Sequence, residues 1–179
     1  MPVLCVGLGN PGEQFSKTRH NAGFIFIDLL ASYLGVNSWQ EKFNGMVSAA
    51  NHEQLGKIIF LKPQTTMNLS GRSVAACLNF FKLFPKDLIV FHDELELPLG
   101  VYKIKHSGGH GGHNGVRDIH NAIGTNEYRR IRIGIDRPPK DSPQNAVVNY
   151  VLSKFSDAEH QEIENIFKKF IQQINSIFL

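Results

Sequence analysis

Val3 to Phe24, VLCVGLGNPGEQFSKTRHNAGF, is the stretch whose reading decides the fold. Its opening run, Val3 to Val6, is short, apolar and bounded by glycine, the pattern of a strand buried on both faces of an α/β sheet. The run breaks at Gly7, Gly9, Asn10, Pro11 and Gly12, where glycine permits tight geometry and Pro11 biases Asn10 towards an extended backbone. Asn10 is thereby expected at the carboxyl end of the strand, the edge at which open α/β sheets bind ligands. Thr18, Arg19, His20 and Asn21 form a dense polar cluster just before a helical apolar pattern resumes at Phe24. A polar loop held between strand and helix is a good place for chemistry.

Working outward, 179 residues suit one domain covering the whole chain, large enough to bury a core without staples. Cys5 and Cys77 both sit inside apolar patterns, so they read as core thiols in a reducing compartment. The first apolar run ends at Gly7, too short for a signal peptide or a membrane span, and a cytoplasmic protein without membrane contact is expected. The formal charge of +3 permits a polyanionic partner without demanding one. Positive residues gather between Lys103 and Arg132, while Asp157 to Glu164 is locally acidic, so one face should be the more basic.

Beyond the opening strand, Phe24, Ile27, Leu30 and Leu34 mark a helix that Gly35 stops. Met46–Ala50 and Lys57–Leu61 read as two strands of a hairpin around the loop Asn51–Gly56. A helix is predicted over Met67–Phe84, with Asn68 or Ser70 able to cap it, broken by Pro85. Leu88–Phe91 reads as a buried strand ending in His92-Asp93-Glu94. Val101–His106 and Arg130–Ile135 alternate apolar with basic residues and read as further strands, which puts Lys103 and Lys105 on one face. Ser107–Gly115, SGGHGGHNG, is too rich in glycine for regular structure and reads as a loop, followed by a helix over Val116–Ile123. Asp136–Ser142 reads as an exposed turn. Ser156 and Glu159 fit a capping box for a last helix whose stripe Ile163, Ile166, Phe167, Phe170, Ile174 and Ile177 must lie on the sheet or close over the site as a lid. The alternation predicts a single α/β domain with a mixed, mostly parallel twisted sheet flanked by helices.

Polar clusters follow four of these strands: Asn10, Asn68, Asp93 and His113-Asn114. Strands of one sheet share an edge, so the clusters should converge. Neutral amides orient a substrate and donate to a developing oxyanion, and a His and Asp pair suits proton transfer. No nucleophile elbow is present, and neither cysteine lies beside a histidine. The simplest chemistry is hydrolysis by a water that His20 activates, with Asp93 orienting its ring. Blander readings stand beside this one. His20 alone could be a structural histidine, Asp93 could cap a turn, Asn68 could cap a helix, and Lys103, Lys105 and Arg132 could be ordinary solvated charges. Gly7, Gly9 and Gly12 spell a dinucleotide fingerprint, but Pro11 removes a donor and no helix opens at Gly12. His106, His110 and His113 raise a metal site, although helix-like spacing means little in a glycine loop.

VGLGNPG, TRHNAGF, KPQTTMNLSG, HDELELPLG, GGHGGHNGVRDI and RIRIGIDRP together resemble, in order and spacing, the bacterial peptidyl-tRNA hydrolases. The resemblance runs from Val6 to about Leu152. It implies a monomer without cofactor or metal that cleaves the ester joining a peptide to the 3' end of tRNA. By position it makes His20 the base, Asp93 its partner, Asn10 and Asn68 holders of the peptide and terminal ribose, and Asn114 a positioner of water or carbonyl. His113 would line the same crevice, while Lys103, Lys105 and Arg132 would grip acceptor-stem phosphates. Departures from the family pattern are Phe15 where Tyr is common, Thr66 for the usual aromatic, Glu96 for Asp and Asp136 for Gly. Phe15 would keep the ring's contact with substrate without the hydroxyl. Competing classes are an RNA-binding protein of the same fold without turnover and a metal-dependent hydrolase.

Overall fold

A computed structural model describes the whole chain, residues 1–179. Strands β1 (Val3–Gly7), β2 (Gln40–Lys42), β3 (Gly45–His52), β4 (Gly56–Pro63), β5 (Leu88–Glu94), β6 (Tyr102–Lys105) and β7 (Arg129–Gly134) form one sheet in the order β2-β3-β4-β1-β5-β7-β6. Helices α1 (Ala22–Tyr33), α2 (Ser70–Phe81), α3 (Asn114–Ile123), α4 (Gln144–Leu152), α5 (Asp157–Gln172) and α6 (Ile174–Phe178) complete the domain. The opening strand is central, parallel to β4 on one side and β5 on the other. The β5–β7 pairing is also parallel, whereas β2–β3, β3–β4 and β6–β7 are antiparallel. "Mostly parallel" therefore holds for the four central strands only, because a hairpin on one edge and a turned-back strand on the other balance the count.

Side-chain alternation along the central strands feeds two cores. Leu4, Val6, Ile59, Leu61, Leu88 and Val90 pack under α2 and α3 against Val74, Cys77, Leu78, Val116 and Ile119. Cys5, Phe60, Ile89, Phe91 and Ile131 meet Phe26, Ile27 and Leu30 of α1 and Ile163, Ile166 and Phe170 of α5 on the other face. Each such side chain contributes about 1.5–3 kcal/mol by leaving water. Both cysteines belong to these cores. Burial, outweighing the nearby Lys42 ammonium, pushes the Cys77 thiol up to about 12, and burial likewise raises Cys5. Neither is a nucleophile.

The last helix belongs to the core and is no lid. Ser156 and Glu159 form the expected capping box, and the helix breaks at Gln173 into α5 and the short α6. The helix predicted from Met67 begins as a 3-10 turn over Met67–Leu69, becomes α-helical at Ser70 and ends at Phe81, where Lys82 turns left-handed at φ 55°. No side chain caps it, and the Ser70 hydroxyl instead donates to the Met67 carbonyl. The strand edge that follows Gly7 lies tight on the helix behind it. A Cβ at Gly7 would fall 2.6 Å from Ile27 Cγ1 and closer still to the Gly23 carbonyl, so this glycine serves helix–strand packing, with no phosphate needed to explain it.

Candidate active site

A cavity of about 550 Å³ opens at the carboxyl ends of β1, β4 and β5. Asn10 reaches it from the turn after β1, Met67 and Asn68 from the turn after β4, and Asp93 from the end of β5. His20 enters from a 3-10 turn over Arg19–Asn21, and His113 and Asn114 from the start of α3. The convergence expected from topology is therefore found for Asn10, His20, Asn68, Asp93, His113 and Asn114. Val147, Val148, Val151 and Leu152, all from α4, add an apolar wall to this lining. That helix was not foreseen, although valines and leucine recurring at helical spacing after Pro143 carried its signal.

Asp93 is buried, with 4% of its surface exposed, and both its oxygens are used. The Nδ1–H of His20 donates to Oδ2 at 2.9 Å. His113 Nδ1 accepts from the Val116 N–H at 3.3 Å, which puts the ring's proton on Nε2, and Nε2 donates to Asp93 Oδ1 at 2.8 Å. His92, buried beside them, stacks edge-on to His113 and bonds through Nδ1 to the Asp93 carbonyl at 2.7 Å. Burial, reinforced by His113, pushes His92 down to about 3, so it is a neutral structural donor at any working pH. For His20, burial opposes the charged ring, but the Asp93 charge and hydrogen bond outweigh it and the pKa lies above the ordinary imidazole value. Burial works against the Asp93 carboxylate too, and the surrounding imidazoles reverse it, holding the group far below the usual range. With Nδ1 engaged, His20 is left Nε2 as its free base.

The amides are equally fixed. Asn21 clasps the Asn10 backbone twice, accepting from its N–H and donating to its carbonyl, both at 2.9 Å. The Asn10 Oδ1 accepts from the Met67 N–H at 2.9 Å, so Nδ2 is the end of the amide available to a ligand. Asn68 and Asn114 are exposed at the rim. The glycine-rich loop, whose Gly111 and Gly112 also face the cavity, is pinned from below by Arg130, which donates to the Gly108 and Gly109 carbonyls at 3.0 and 2.9 Å. From the sequence, Asn21 is only a member of the polar cluster before α1 and Arg130 only the first residue of a strand. Each acts on backbone, and residue type alone does not reveal such a partner.

The sequence match decides what this constellation belongs to: the family model described as peptidyl-tRNA hydrolase matches residues 4–179. The chain belongs to the peptidyl-tRNA hydrolase family. A peptidyl-tRNA hydrolase of Citrifermentans bemidjiense is 50% identical over 156 residues, covering 87% of this chain and 80% of that protein. One from Neisseria meningitidis is 44% identical, covering 97% and 89%. The crystal structure of peptidyl-tRNA hydrolase from Acinetobacter baumannii superposes with a TM-score of 0.88 at 36% identity, covering 96% of this chain and 86% of that one.

Set within the peptidyl-tRNA hydrolase family, four of the expected site residues lie outside the cavity. Phe15 is half-buried in a 3-10 turn over Glu13–Phe15, where its carbonyl anchors Thr18. Lys103 and Lys105 pair across the β6–β7 ladder with Arg132 and Arg130, so all four cations share one face of the sheet edge. Arg132 is partly spent on Glu94, which accepts from its Nε at 2.8 Å. Glu96 pairs with Arg137, and both line the cavity mouth. His110 accepts from Gly112 N–H at 2.9 Å and does not join His113 as a ligand set. The donor atoms of His20, Asp93 and His113 do lie within 4.8 Å of one another, a spacing compatible with a metal ion. An ion bound among them would have to replace the hydrogen bonds that orient His20. No helix of the protein is long and apolar enough to cross a membrane.

Proposed function

We propose that this peptidyl-tRNA hydrolase cleaves its substrate with a water activated by His20. The observation that carries the reading is the His20 Nδ1–Asp93 Oδ2 bond, which leaves Nε2 unprotonated and facing the cavity. A peptidyl-tRNA 3' end in the cavity presents its ester carbonyl to that water. Nε2 takes a proton as the water oxygen bonds the carbonyl carbon, and the tetrahedral oxyanion accepts from amide donors, among them Asn10 Nδ2. The bond to the ribose oxygen then breaks as His20 returns the proton to it, giving a free tRNA hydroxyl and a peptide carboxylic acid that loses its remaining proton to solvent. A positioned general base supplies roughly 10²–10⁴ in rate, and one oxyanion donor about 10²–10³.

Asn68 and Asn114 hold the peptide and terminal ribose at the rim, and the α4 wall covers the apolar part of the peptide. Lys103, Lys105 and the free end of Arg132 take phosphates of the acceptor stem, which makes affinity dependent on salt. The protein works as a cytoplasmic monomer, and Phe15 contributes through the shape of its turn. Turnover in ¹⁸O-water tests the chemistry: the label must enter the released peptide carboxylate and stay out of the ribose, and label in the tRNA would rule this path out.

A further inference from the structure

Arg19 sits beside the proposed base but turns away from the cavity, and it is 9% exposed. One amino group of its guanidinium, Nη2, makes a forked bond to Glu159 of α5, at 3.0 and 2.9 Å to the two carboxylate oxygens. The other amino group donates to the Ser153 hydroxyl and, at 3.2 Å, to the Lys154 carbonyl. Its planar face lies over Tyr150 of α4, 4.4 Å from the ring centroid. The backbone repeats the connection, with Arg19 N–H bonded to the Ser153 carbonyl at 3.1 Å and Phe155 N–H to the Lys17 carbonyl at 2.9 Å. Ser153 in turn donates to the Tyr150 carbonyl at 2.6 Å, and the Tyr150 hydroxyl to the Ile135 carbonyl at 2.6 Å.

These bonds matter because α4 has no fully buried residue of its own. Its four cavity-facing side chains, Val147, Val148, Val151 and Leu152, depend for their place on how the helix's carboxyl end is held, and Arg19 holds that end through Tyr150, Ser153 and Lys154. The same residue opens the 3-10 turn whose next member is His20. We infer that Arg19 is a positioning residue that fixes the apolar wall of α4 and the His20 base in one register, so that a peptide seated on the wall presents its ester to Nε2. Arginine is needed for this: its two amino groups take the carboxylate on one side and the hydroxyl and carbonyl on the other while its planar face covers an aromatic ring, whereas lysine offers a point charge.

The inference rests on His20 being the base, and the test separates the two. Hydrolysis of an N-acetyl-aminoacyl-tRNA is followed across pH for wild type, Arg19→Lys, Glu159→Gln and His20→Ala, each at a temperature where circular dichroism shows it folded. His20 faces Asp93 from β5 and His113 from α3, while Arg19 faces Glu159 from α5 and Tyr150 from α4, so neither substitution alters a charge touching the base. Arg19→Lys is expected to lower kcat at least tenfold, raise KM, and move the acid limb of kcat to lower pH as the His20–Asp93 bond loosens. Glu159→Gln, which breaks one bond of the fork and keeps an acceptor for Ser156 N–H, should shift the same three quantities less. Should Arg19→Lys fail to fold, Glu159→Gln decides alone. A lowered melting temperature with unchanged kcat, KM and acid limb in the folded variants overturns the inference. Wild-type turnover by His20→Ala would instead remove the reading on which it rests.

Discussion

His113 donates to Asp93 Oδ1 at 2.8 Å, the oxygen that His20 leaves free. One carboxylate thus orients two imidazoles. The same histidine uses its other nitrogen to cap α3, which ties the Asp93 carboxylate to the helix that presents Asn114.

Replacing His113 with Ala should therefore act on both functions at once. Loss of the cap costs on the order of 1 kcal/mol of stability. Freeing one Asp93 oxygen should lower kcat about tenfold, far less than loss of His20 itself. Thermal melts and steady-state hydrolysis check the pair, and a loss as large as that of His20→Ala would make His113 a direct participant in proton transfer.

The acid limb of kcat should lie above the ordinary imidazole pKa, because Asp93 favours the protonated His20 ring more than burial disfavours it. The base works only when neutral, so turnover falls as pH drops through that raised value. In Asp93→Asn burial acts alone, and the limb should move below roughly pH 6.5 while kcat falls about 10²-fold or more. An unmoved limb in a pH–kcat profile would assign the titration to another group.

His92, whose pKa is shifted the other way from that of His20, predicts a loss of stability in acid. Its folded pKa, pushed down to about 3 by burial, lies below that of the unfolded chain, so the unfolded state takes up a proton first. Stability attributable to this residue is lost as pH falls below about 6.5, at roughly 1.4 kcal/mol per pH unit. His92→Asn, which keeps a donor for the Asp93 carbonyl, should flatten the pH dependence of the melting temperature between about pH 6 and 4 relative to wild type.

Phosphate contacts by Lys105 would show as a division between binding and chemistry. Lys105→Ala should raise KM for the tRNA substrate, leave kcat within about twofold and reduce the slope of log affinity against log salt by about one. An equal fall in kcat at saturating substrate would count against this assignment.

Much of this was legible in the residues. The four inner strands, α1 and α5 announce themselves by apolar runs and periodicity, and Asn10, Asn68, Asp93 and His113 could be placed at one edge because each follows a strand. The rest depends on tertiary partners. α4 escaped because Asp136–Ser142, with its two prolines, reads as a turn that continues. Lys103 and Lys105 share a face as their alternation foretold, and the ladder adds Arg132 to it, yet nothing local says that Glu94 occupies Arg132 or that Arg130 points inward to hold the glycine loop. Arg19 is invisible to pattern because its partners lie more than 130 positions away.

The most direct measurement is peptide release from an N-acetyl-aminoacyl-tRNA by the purified protein beside His20→Ala, with and without chelator. Activation of water by His20 requires wild-type turnover that withstands the chelator and falls by about 10²–10⁴ in the variant. Turnover that survives the substitution, or that the chelator abolishes, would contradict it.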